Sequence, residues 1–67
     1  GPARYSRVLD KLNDGAALYV ELRDLKADYL LVNNESGRVN LVQNAAFNAH
    51  FETTFTQGKI TLFRIID

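Results

Sequence analysis

Sixty-seven residues can build one hydrophobic core and no second, and the absence of cysteine excludes disulfides and thiolate metal sites. Eight basic residues balance eight acidic ones, which leaves no cationic excess for phosphates or an anionic membrane surface, and a single histidine excludes a histidine-rich metal site. At 46% hydrophobic residues the chain is too apolar for a disordered segment, and without a staple a partner chain is the expected source of extra stability. Gly1-Pro2 resembles the remnant of a cleaved expression tag, so a single domain is expected over residues 3–67. No apolar run reaches membrane-spanning length and no signal peptide is visible, so the expectation is a cytoplasmic or nuclear protein without membrane contact.

In chain order, residues 3–13 predict a short helix, because Tyr5, Val8, Leu9 and Leu12 form one apolar stripe at helical spacing. Gly15, following Asp14, reads as its stop. Leu18, Val20 and Leu22 then alternate with Tyr19, Glu21 and Arg23, the period of a half-buried strand. Asp24-Leu25-Lys26 reads as a turn and residues 27–33 as a second strand, apolar enough to be covered on both faces. Asn34-Glu35-Ser36-Gly37 is the clearest turn, and Val39 to Gln43 a third strand.

Phe47 to Phe55 fits two periods. Its phenylalanines lie four apart, as on a helix, and the segment also alternates cleanly as a strand. Thr53-Thr54-Phe55 favours the strand, leading through Gln57-Gly58 into the β-rich segment Ile60–Ile66, so a hairpin is expected here. The sum is an α+β domain, mostly β. An N-terminal helix precedes five antiparallel strands bent into a small barrel, since closure removes unpaired edges.

No catalytic set, cofactor loop or metal cluster emerges. Ser6 and Ser36 lack a nucleophile context, the carboxylates are scattered, the glycines stand singly, and His50 reads as a polar strand residue. The expectation is therefore a non-enzyme without cofactor or metal. Phe47, Phe51, Phe55 and Phe63 could stack nucleobases, but residues 39–58 carry no lysine or arginine beside them. Core or protein interface is the better reading, and direct nucleic-acid binding is not expected. Arg64 is the only charge between Ile60 and Ile66, too little to guard an open strand edge. The alternative, a central strand paired on both sides within its own chain, stays open.

The layout resembles the Sm and Sm-like (LSm) proteins, a short helix followed by five bent strands. Val20-Glu21-Leu22-Arg23-Asp24 resembles the opening of their first motif, Val39-Asn40-Leu41 its Met-Asn-Leu, and Thr56-Gln57-Gly58-Lys59-Ile60 their second motif. Ser36 stands where an acid belongs, Gln57 replaces the Arg-Gly arginine, and Leu25 and Leu30 stand in for glycines, so only Asn40 of the RNA pocket remains. Loss of the pocket within a retained barrel is similar to the Gemin-type Sm-like proteins of the SMN complex. The resemblance implies a scaffold subunit in snRNP assembly and mRNA splicing. Its partner would be another Sm-like chain, as a homo- or heterodimer, paired edge to edge through the last two strands. Phe47, Phe51, Phe55, Ile60, Leu62, Ile65 and Ile66 would form that interface. An RNA-binding LSm-type ring subunit, or a small regulatory protein of unrelated α+β fold, are the alternatives.

Overall fold

The structure, a computed structural model, describes residues 8, 11–40 and 44–66. The expected helix over 3–13 lies mostly outside them; Val8 is helical and residues 11–13 form a turn. Of the strand expected at 39–43, residues 41–43 also lie outside, and Val39 and Asn40 are irregular.

The segment from Gly15 is a helix, α1 (Gly15–Asp24), where a strand was expected. Asp14 is its N-cap, accepting a hydrogen bond from the Ala17 amide at 3.2 Å. Asp14-Gly15 therefore starts this helix instead of stopping the one before. Gly15, Leu18 and Leu22 fall on one helical face and are buried, while Val20, which a strand would bury beside them, is exposed. The helix ends in paired bonds, Lys26 N–H to the Arg23 carbonyl and Ala27 N–H to that of Leu22, each 3.0 Å. Lys26 occupies the left-handed position at φ 58°, where glycine is usual.

β1 (Tyr29–Asn33) follows, with alternate residues buried instead of both faces covered. The expected turn at 34–37 is present, with Gly37 at φ 70°. Three asparagine side chains then hold the chain on its way to the next element. Asn34 both donates to and accepts from the Val39 backbone, at 3.0 and 3.1 Å. Asn13 donates to the Arg38 carbonyl and accepts from the Asn40 amide, at 3.0 and 2.9 Å. Asn44 caps a single helical turn, α2 (Ala45–Asn48), by accepting from Phe47 N–H at 2.9 Å. The helical half of the ambiguous segment is thus 45–48, and the strand half is β2 (Phe51–Gln57). β2 turns through Gly58, at φ 59°, into β3 (Ile60–Ile65). Positive φ at the first turn residue and not at Lys59 is the glycine-first pattern of a two-residue hairpin.

The described strands form an open antiparallel sheet in the order β1-β3-β2, not a five-stranded barrel. Two of the expected strands are not seen among the described residues, for a plain reason. One became α1, and the other is not a strand where it is described. β3 is the central strand, paired on both sides, so the last strand is not an open edge.

The core is Leu18, Leu22, Leu30, Val32, Phe47, Phe51 and Phe63. Phe47 stacks on Phe51 with ring centroids 4.1 Å apart and meets Phe63 edge to face at 4.9 Å. Gly15 allows this arrangement, because a Cβ there would stand 2.6 Å from Phe47 Cα. Only a residue without a side chain lets α1 approach α2 so closely.

Candidate functional site

Strand pairing sorts the side chains into two faces. Opposite residues on antiparallel neighbours share a face, so Leu30 and Val32 lie with their partners Phe63 and Thr61 on the inner side, beneath α1 and α2. The outer side carries Tyr29, Leu31 and Asn33 from β1, and Arg64, Leu62 and Ile60 from β3. From β2 it receives Glu52, Phe55 and Gln57.

Phe55 reaches the outer face through a β-bulge. Thr53 pairs with Phe63, an inner residue, and Phe55 pairs with Leu62, an outer one, so Thr54 is the extra residue between them. Strict alternation would place Phe51, Thr53 and Phe55 together, and the bulge resets the parity after Thr53. The result is a straight apolar row, Leu31–Leu62–Phe55, crossing the three strands at right angles to their direction. Tyr29 and Ile60 lie diagonally beside it. Four of the five side chains are exposed, Leu31 by 64%, Tyr29 by 54%, Phe55 by 51% and Ile60 by 38%, and Leu62 is half-buried among them.

The row's electrostatics are simple. Of the outward residues only Arg64 and Glu52 carry charge, and they pair with each other at 3.2 Å on the exposed surface. A patch of this kind has no field with which to select a charged partner. It does have apolar area, flanked by Asn33 and Gln57 on one side and the ion pair on the other.

The residues expected to form the partner interface divide between three places. Phe55, Ile60 and Leu62 are on the outer face. Phe47 and Phe51 are core residues, because the helical turn carries Phe47 inward onto Phe51, and neither can meet a partner without unfolding. Ile65 is half-buried against the core, and Ile66, also half-buried, ties its N–H to the His50 carbonyl at 2.8 Å. Asn40, which the resemblance made a residual RNA-pocket position, lies on the irregular connector, where its backbone N–H donates to Asn13 Oδ1. Tyr29 and Leu31 were missed. Their alternation with Leu30 and Val32 was the available signal, obscured because consecutive apolar residues read as a strand buried on both faces.

His50 stands in the turn after α2, not on a strand, with its ring stacked on Tyr19 at 3.8 Å and 12°. Its Nδ1 is buried with no hydrogen-bond partner among the described residues, so the ring acts here as a packing element. A shallow polar cleft of about 350 Å³ lies at the corner between α1 and β1, lined by Arg23, Lys26, Ala27 and Asp28. Among the described residues there is no cluster of three or more metal-ligating side chains, and no helix is long and apolar enough to cross a membrane.

A family model, SF2091/S2213, matches residues 1–64. The chain belongs to the SF2091/S2213 family. This replaces the Sm and LSm resemblance, which no family match supports and which the open sheet also contradicts. The motif-like segments behind it lie in unrelated settings: Val20–Asp24 is helical, and Val39-Asn40 is part of an irregular connector. No curated protein and no solved structure matches the chain.

Proposed function

We propose that this chain is a non-catalytic protein-binding domain whose contact surface is the outer face of its sheet, and whose occupant is an apolar surface of another polypeptide. The observation that carries the reading is the exposed row Leu31–Leu62–Phe55, built partly by a bulge that turns a phenylalanine out of the core. Exposing aromatic and aliphatic side chains in one contiguous patch on so small a domain is costly in water unless a partner covers them. The near-absence of charge favours a protein over a nucleic acid. Two exposed rings, Tyr29 and Phe55, could stack bases, yet among the described residues Arg64 is the one cation on the face and its charge is already met by Glu52.

The test is a photo-crosslinking residue placed at Phe55, with the exposed turn residue Glu35 as the control position. In cells that make the protein, position 55 should yield a polypeptide adduct that position 35 does not. The purified adduct partner should lose its binding to the Phe55→Ser variant. Adducts that nuclease removes, or none specific to position 55, would overturn the reading.

A further inference from the structure

The sheet has two edges, and they differ. On the β2 edge the bulge at Thr54 interrupts the spacing of free backbone groups, a common way to blunt an edge. The β1 edge has no such device. Tyr29-Leu30-Leu31-Val32-Asn33 holds no charge, proline or glycine, and its pairing with β3 is regular throughout.

The direction of its backbone groups follows from two bonds. Asn34 N–H donates to the Lys59 carbonyl at 2.8 Å, and Ile65 N–H donates to the Asp28 carbonyl at 2.9 Å. In an antiparallel ladder this parity turns residues 28, 30, 32 and 34 toward β3 and turns Tyr29, Leu31 and Asn33 away from it. No described residue hydrogen-bonds to the outward groups of those three, and all three residues are exposed.

We propose that the β1 edge pairs antiparallel with the β1 edge of a second copy, about a twofold axis through Leu31. Only the register that sets Leu31 opposite Leu31 uses all three outward residues, with Tyr29 of each copy facing Asn33 of the other. Each facing pair exchanges two bonds, on the order of six in all. No charged residue lies within the joined strands, so nothing repels across the axis.

The second argument concerns the outer face. Three strands at about 4.8 Å spacing and roughly six residues at about 3.4 Å make a face of only about 300 Å², against the roughly 800 Å² per partner of a stable interface. Because the axis passes through Leu31, the row of one copy continues into the row of the other, Phe55–Leu62–Leu31 meeting Leu31–Leu62–Phe55. Pairing joins two small patches into a single apolar band across six strands. The edge pairing thus goes beyond the proposed face contact: it identifies a second copy as a partner, and doubles the face to about 600 Å², closer to the area a stable interface needs.

The test uses the purified chain alone, with mass measured by sedimentation equilibrium across a dilution series. The parent should dimerise. Leu31→Lys and Leu31→Glu, each changing an exposed side chain, should fold as the parent does by circular dichroism and run as monomers, since like charges would meet across the axis. Mixing the two variants should restore a dimer containing one of each. A parent that stays monomeric at every concentration, single variants that remain dimers, or a mixture without rescue would each overturn the proposal. A monomeric parent that still crosslinks to another polypeptide through position 55 would remove the edge pairing alone and leave the face contact standing.

Discussion

Phe51 and Phe55 lie on the same strand, four residues apart, and live in opposite environments. Phe51 is 5% exposed, stacked on Phe47 beneath the helical layer; Phe55 is 51% exposed, facing out from the uncovered side. Between them sits one extra residue in the ladder. The same residue type is therefore a core element on one side of the sheet and a surface element on the other. What separates them is strand register, not hydrophobicity. The inner face spends its aromatic area on folding, and the outer face leaves its area available for another chain.

That contrast can be broken most severely from the inside. Phe47→Ala should destabilise the domain by about 3–5 kcal/mol, because it empties the centre of the Phe47–Phe51–Phe63 cluster. In a domain of marginal stability this is enough to abolish a cooperative urea transition. A midpoint close to that of the parent would mean that α2 does not close the core.

Gly15→Ala tests the spacing of the layer above the sheet. The added methyl would meet the Phe47 backbone, which cannot swing aside as a flexible side chain can, so a loss of about 1–3 kcal/mol is expected. In a solvent-exposed helix, alanine would be the better residue. A stabilised variant in thermal unfolding would therefore show that α1 and α2 do not approach as described.

The smallest effect on stability should come from the outer face. Phe55→Ser should shift unfolding by no more than about 0.5 kcal/mol, as exposed substitutions usually do, while abolishing binding of the partner identified by crosslinking. A loss comparable to that of Phe47→Ala would place Phe55 in the core after all and end the distinction between the faces.

Several elements were legible in the residues. The turn at 34–37 and the hairpin at Gly58 could be read because positive φ is a local demand that glycine meets. β1 and the two strands of the C-terminal hairpin followed from apolar, β-branched and aromatic content, whereas the strand expected at 39–43 is irregular where it is described. α1 was not legible from alternation, since Leu18 and Leu22 satisfy a strand and a helix alike. Val20 decides between the two only once its exposure is known. The signal that favours the helix was Asp14, a capping residue ahead of Ala16-Ala17-Leu18.

The apolar candidates were legible as a group but not as a site. Seven residues were expected at a partner surface, and the fold sends Phe47 and Phe51 inside while adding Tyr29 and Leu31 from a strand distant in sequence. Period, turn chemistry and capping are set within a few residues, so the sequence by itself determined a small cysteine-free domain with β1, the turn after it and the C-terminal hairpin. The strand order, the central position of β3, the parity reset at Thr54 and the choice of covered face depend on contacts between distant segments. Those only the tertiary structure decided, because a single extra residue in one ladder changes the face of every side chain beyond it.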